Sequence, residues 1–174
     1  MRFNGEREVH TRVERVWAAL HDSDVLRTAI PGCEDLMPLD TGRYAATLAA
    51  RVGPVADTYR GAFTIEDLRP GSDLRVRVEG RGRCGRLEVD LRVRLATGRM
   101  PHTTLLRYDA HAEVSGFVAR LGRATLTVAG GHLTGCFFRD LDRSLRERRV
   151  TAPSAGFPAA PIFDKMSRWR SSSS

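Results

Sequence analysis

From Tyr44 to Val114 apolar and polar side chains alternate with a period of two, and the alternation breaks only at turn signals. Tyr44, Ala46, Leu48, Ala50 and Val52 share one side before Gly53-Pro54, and Val55, Asp57, Tyr59, Gly61, Phe63 and Ile65 share one before Arg69-Pro70-Gly71. Leu74, Val76 and Val78 precede the glycines at 82 and 85. Leu87, Val89, Leu91, Val93 and Leu95 precede Gly98 to Pro101, and Leu106, Tyr108, Ala110, Ala112 and Val114 end the series. Successive side chains of a strand point to opposite faces, so this stretch predicts an antiparallel sheet with one dry face and one wet face. The wet face mixes signs, as in Arg86, Glu88, Asp90, Arg92 and Arg94, which suits cross-strand ion pairs.

The flanks follow other rules. The first ten residues alternate and read as a strand interrupted by Arg7. Thr11 with Glu14 has the spacing of a capping box, which predicts a helix over residues 12 to 21 carrying Val13, Val16, Trp17 and Leu20. Ser23 or Asp24 is expected to cap a second helix bearing Val25, Leu26, Ala29 and Ile30 and stopped by Pro31-Gly32. After Gly116 the period becomes helical. Phe117, Leu121, Ala124, Val128, Gly131, Gly135 and Phe138 form one stripe, with Leu126, Leu133, Phe137, Leu141 and Leu145 beside it. One unbroken helix of about 30 residues, ~45 Å long, is expected. Glycines at 130, 131 and 135 each cost about 1 kcal/mol relative to alanine there, so a sheet or a ligand should approach closely.

The expected architecture is α+β: a seven-stranded antiparallel curved sheet wrapped around a long C-terminal helix, with two short helices after the first strand. At 174 residues one domain is expected, covering 1–149. Residues 150–174 read as a Pro/Ala linker and an amphipathic basic tail. Small inward residues such as Ala46, Ala50, Gly61, Ala110 and Ala112 face a glycine-bearing helix. Either the space between them is a cavity or the helix packs tightly into it. A cavity would be lined by Tyr44, Leu48, Tyr59, Gly61 and Phe63, by Leu91, Tyr108 and Ala110, and by Phe117, Leu121, Val128, Gly131 and Gly135 of the helix.

The formal charge of +7 is unevenly spread. Residues 1–115 hold 18 arginines against 17 acids, a net of +1, whereas residues 116–174 hold 10 basic groups against 4 acids, a net of +6. Strand arginines that alternate with acids, without interleaved aromatics, do not make a phosphate track, so no nucleic-acid partner is expected. In the tail, Ile162, Phe163, Met166 and Trp169 fall on one helical face flanked by Lys165, Arg168 and Arg170, a pattern suited to a membrane surface or to docking on a protein. With no apolar run of membrane-spanning length and no greasy N-terminal segment, the chain is expected in the cytoplasm, peripheral on the cytoplasmic face of the membrane. Cys33, Cys84 and Cys136 are too scattered for a disulfide framework or a zinc site, so neither a metal nor a covalent cofactor is expected.

Catalysis would need a positioned base, often with a nucleophile beside it. The inward faces offer Asp57 as their one ionisable carboxylate, and no hydrolase, nucleotide-binding or zinc-protease motif occurs. Tyr44, Tyr59 and Tyr108 are the phenols able to bond a ligand carbonyl or, equally, to pack as amphipathic core.

The stretch from Phe3 to Leu145 resembles CoxG, the G subunit of carbon monoxide dehydrogenase, within the START-like, helix-grip (SRPBCC) superfamily that also holds polyketide cyclases and lipid-transfer domains. The resemblance rests above all on Val16-Trp17, Asp24-Val25-Leu26, Ile30-Pro31-Gly32-Cys33-Glu34 and Tyr59-Arg60-Gly61. It implies a helix-grip fold and a non-catalytic accessory protein of a molybdenum hydroxylase system like carbon monoxide dehydrogenase. Such a protein binds a hydrophobic ligand, such as a quinone or lipid, and associates with the membrane. Ile30, Pro31, Gly32 and Cys33 would then lie at the pocket mouth or form a plain tight turn. The rival reading is an enzyme on the same fold, such as a polyketide cyclase or aromatase.

Overall fold

A computed structural model describes residues 1–150. The chain runs β1 (Arg2–Val9), α1 (Val13–Leu20), α2 (Ser23–Ala29), β2 (Cys33–Asp40), β3 (Arg43–Val52), β4 (Val55–Arg69), β5 (Asp73–Arg81), β6 (Arg86–Thr97) and β7 (Thr104–Ser115). A five-residue 3-10 turn, Phe117–Leu121, then leads into α3 (Arg123–Val150). All seven strands form one antiparallel sheet in the order β1-β7-β6-β5-β4-β3-β2. This is the α+β helix-grip arrangement, the sheet wrapping α3 with two short helices after the first strand.

The register sets like faces side by side. Tyr44 lies opposite Phe63, and Leu48 opposite Tyr59. Val76 lies opposite Leu91, Leu91 opposite Ala110, and Phe3 opposite Ala110. The dry faces expected from the alternation therefore merge into one concave surface, while the charged residues take the convex one. There Arg75 is bonded bidentately to Asp90, and Arg107 meets Glu6 at 3.3 Å. Arg7, the interruption in β1, lies opposite Leu106 but is exposed.

The core occupies one end of this surface. Val16, Leu20, Val25 and Leu26 of the short helices meet Leu141 and Leu145 of α3 and the near ends of the strands at Tyr44, Ile65, Leu74, Leu95 and Leu106. Leu106 and Leu141 have no exposed surface, and burying such a side chain contributes about 1.5–3 kcal/mol.

Three local expectations are corrected. The Thr11–Glu14 capping box does not form: Arg12 is the N-cap of α1 and makes no side-chain cap bond. Thr11 is instead fully buried, its carbonyl accepting the Thr104 hydroxyl at 2.6 Å. Helix α2 is capped by Asp22, one residue earlier than expected, whose carboxylate accepts from the Asp24 and Val25 amides. The single C-terminal helix is broken at Gly122, whose φ of 84° lies in the left-handed region that favours glycine.

Candidate functional site

Going from the core end of the sheet to the opposite end, the inward side chains of β3 to β6 lose their cover, while Ala110 and Ala112 of β7 stay buried. Tyr44 in β3 is buried, but Ala46, Leu48 and Ala50 are only half-buried. In β4 Ile65 and Phe63 are buried while Gly61 and Tyr59 are half-buried, and in β5 Leu74 is buried while Val76 and Val78 are not. Strand β6 repeats the change between Val93 and Leu91. These half-exposed apolar side chains make up the less covered part of the concave face.

The helix side of this space differs from the expected stripe. Val128 is 74% exposed, and a Cβ built on Gly131 or Gly135 would meet nothing within 4 Å. Packing therefore does not place Val128, Gly131 and Gly135 against the sheet. The close approach expected of the glycines occurs at Gly130 alone, where a Cβ would come within 2.7 Å of the Phe3 ring. Phe138 and Leu141 continue that packed face, with Phe137 at its edge. Counting back in threes and fours from Leu145 gives Leu141, Phe138, Thr134 and Gly130, so the two C-terminal leucines carry the phase. Phe117 is 56% exposed, with the Arg120 guanidinium 5.9 Å from its ring centroid. Leu121 is half-buried and Ala110 is buried.

The three phenols separate into two kinds. Tyr44 stacks on Phe63 at 4.9 Å, and its hydroxyl donates to the His21 carbonyl at 3.3 Å, which makes it part of the core. Tyr59 and Tyr108 are half-buried in the concavity, and neither hydroxyl has a hydrogen-bond partner among the described residues. The Tyr108 ring lies over Gly5, the position in β1 where a Cβ would strike its hydroxyl oxygen at 2.6 Å, and stands 5.5 Å from the Phe138 ring. Burial pushes the Tyr59 phenol up, helped by the nearby Asp57 charge, so it stays a neutral donor.

Asp57 is committed elsewhere. Its carboxylate accepts the Cys84 amide at 2.6 Å and the Thr58 amide at 2.9 Å, with Arg83 3.9 Å away. The Cys84 bond first, then that of Thr58, holds its pKa below the usual carboxylate range. An anion bound in this way fastens the β5–β6 turn and makes a poor general base. Both ring nitrogens of His21 face acceptors, the Trp17 carbonyl at 2.9 Å and Asp67 at 2.8 Å. No group of His, Cys, Asp and Glu able to hold a metal ion occurs among the described residues.

The Ile30 to Cys33 run joins α2 to β2, with Ile30 and Cys33 packed against the core. Ile30 ends α2, and Gly32, with φ of 71°, passes so close to β3 that a Cβ would collide with the Ala49 carbonyl oxygen. Its own carbonyl accepts the Ala49 amide at 2.8 Å. Cys33 then sits opposite Leu48, and burial raises its thiol pKa. Ile162, Phe163, Lys165, Met166, Arg168, Trp169 and Arg170 lie outside the described residues.

The family model for CoxG, the G subunit of carbon monoxide dehydrogenase, matches residues 5–145. The chain belongs to the CoxG family. Its members are non-catalytic accessory proteins. No curated protein matches the chain. Among solved structures, a conserved protein from Geobacillus kaustophilus is similar at 28% identity and TM-score 0.79, over 84% of this chain and 96% of that one. A START superfamily protein from Mycobacterium smegmatis is similar at 12% identity and TM-score 0.66, over 84% and 98%. The Zhui aromatase/cyclase from Streptomyces sp. R1128 is similar at 16% identity and TM-score 0.62, over 87% and 96%. The last two share the fold. No helix among the described residues is long and apolar enough to cross a membrane.

Proposed function

We propose that this CoxG family protein is a carrier: it holds a quinone or lipid in the open half of its sheet and serves a molybdenum hydroxylase like carbon monoxide dehydrogenase. The observation that carries the reading is the change from buried to half-buried side chains along β3 to β6, which leaves apolar wall without protein cover. Tyr59 and Tyr108 supply two unengaged donors on that wall, suited to a ligand carbonyl. Asp57 bound as a clamp favours carriage over a cyclase-like reaction. Residues 150–174 act as a tether in this scheme, with Phe163 and Trp169 inserting at the cytoplasmic membrane face and Lys165, Arg168 and Arg170 meeting anionic lipid.

Protein purified from its own host and subjected to solvent extraction should release one class of apolar molecule in near-stoichiometric amount. N-phenyl-1-naphthylamine, a neutral apolar fluorophore, should bind the emptied protein saturably. Neither result appearing would end the carrier reading. Replacing Phe163 and Trp169 with Ser should weaken sedimentation with anionic vesicles and leave fluorophore binding unchanged.

A further inference from the structure

Helix α3 carries a side-chain pair that the carrier reading does not use. His132 and Cys136 are four residues apart, so they stand one turn above the other on the same side of the helix. Cys136 Sγ lies 3.6 Å from His132 Nε2, with His132 exposed and Cys136 half-buried. A tetrahedral zinc ion takes a thiolate sulfur at about 2.3 Å and an imidazole nitrogen at about 2.0–2.1 Å, which sets two such donors about 3.6 Å apart. The pair already stands at the separation that one zinc ion requires.

One chain supplies only half of a closed tetrahedral set. Among the described residues no third His, Cys, Asp or Glu joins the two. Asp140, one turn further on, is engaged by Arg139 at 3.5 Å and Arg143 at 3.6 Å. The other half must come from outside, and a two-fold axis through the metal supplies it as the same pair on a second copy. The surface beside the pair suits that approach: a Cβ built on Gly131 or Gly135 would meet nothing within 4 Å, and Val128 is 74% exposed. Glycines on an uncovered helix face let a second helix lie close. With the two helices antiparallel and crossing level with Thr134, Arg139 and Arg143 of the two copies fall at opposite ends of the contact.

We infer that His132 and Cys136 are half of a zinc site completed by a second copy of this chain, so that one ion held by two thiolates and two imidazoles clasps a symmetric dimer across α3. Each thiol gives its proton to solvent as the sulfur binds, and each imidazole binds as the neutral ring through Nε2. The inference stands apart from the carrier reading. The face of α3 that packs within the fold runs through Gly130, Phe138 and Leu141, and the dimer leaves it untouched.

The test uses the full chain, kept reduced and stripped of metal with EDTA, with its mass followed by light scattering. Half an equivalent of zinc chloride should double the mass, and native mass spectrometry should find one zinc per two chains. Renewed EDTA should restore the monomer. Cobalt(II) in place of zinc should show the visible absorption of a tetrahedral site together with thiolate-to-cobalt charge transfer. Cys136→Ser and His132→Ala should each weaken zinc-dependent dimerisation on the order of a hundredfold, whereas His132→Cys exchanges one zinc ligand for another and should keep the dimer. Gly135→Leu removes neither ligand but holds the helices apart, and should weaken the dimer roughly tenfold. Neither ligand is sealed in the core, so the Ser and Ala variants should keep the metal-free unfolding midpoint of wild type.

A wild-type mass that stays monomeric with zinc would overturn the proposal, as would zinc bound one per chain without dimerisation. A zinc-dependent dimer left intact by Cys136→Ser or His132→Ala would also overturn it, placing the metal on other residues. So would loss of the dimer in a folded His132→Cys variant, since the imidazole would then be acting through something other than ligation.

Discussion

A carboxylate facing into an otherwise apolar concavity invites a catalytic role, and Asp57 shows how hydrogen bonding removes it. Its two backbone donors and Arg83 stabilise the anion, so the folded pKa lies below the ordinary carboxylate value. A depressed folded pKa means the stabilisation is present above the unfolded value and is lost as pH falls through the folded one. Wild-type protein should therefore lose stability below about pH 4 in part through this group. Asp57→Asn should lower the urea midpoint at pH 7 and show a shallower further loss between pH 5 and pH 3. Equal acid sensitivity in the two proteins would show that Asp57 is not fastened in solution. Tyr59 and Tyr108 give the complementary case. Their hydroxyls bond nothing among the described residues, so Tyr→Phe at either should leave stability unchanged. If a ligand carbonyl is their partner, each change should cost roughly 2- to 10-fold in ligand affinity, the worth of one hydrogen bond of about 0.5–1.5 kcal/mol. Titration of the extracted ligand against the two variants measures it.

At the scale of elements, α3 separates what is legible in the sequence from what is not. Its existence is plain from the change of period after Gly116, and the sheet is equally plain, because a period of two leaves each residue only two faces to choose between. A helix offers a full circle, and small residues blur its phase. Taking Val128, Gly131 and Gly135 as the buried stripe gives a face rotated away from the one that packs, which runs through Gly130, Phe138 and Leu141. The break at Gly122 is hidden because its neighbours Leu121 and Ala124 keep a helical spacing across it. The caps of α1 and α2 each lie one residue from where they are expected, since several neighbouring Ser, Thr and Asp residues could serve and tertiary contacts decide, as they do in burying Thr11. The glycines turn this into a measurement. Gly131→Ala and Gly135→Ala meet no neighbour, so each should stabilise by about 0.5–1 kcal/mol through helix propensity. Gly130→Ala must displace the Phe3 ring and should destabilise. Thermal unfolding that ranks the three alike would show that α3 lies on the sheet with a different face.

For the whole molecule, the sheet is divided between two tasks. Where β3, β5 and β7 begin, α1, α2 and the end of α3 cover it, and Leu74, Leu106 and Leu141 are sealed in. Towards the ends of β3 and β5 and the start of β6 the wall is of the same apolar kind but is left half-covered at Leu48, Val78 and Leu91, while Ala110 and Ala112 of β7 stay buried. Half-covered apolar wall forfeits part of the burial it could contribute, which is sensible only if something else covers it during function. The two ends should then respond oppositely to substitution. Leu106→Ala opens a void in sealed core and should cost about 2–5 kcal/mol in unfolding free energy, while N-phenyl-1-naphthylamine affinity, measured well below the unfolding transition, stays near wild type. Val78→Phe adds bulk where the wall is open, so it should leave stability nearly unchanged and weaken fluorophore binding by tenfold or more. If Val78→Phe destabilises as a buried, overpacked site would, and the fluorophore still binds, then the open half closes over in solution and carries no ligand.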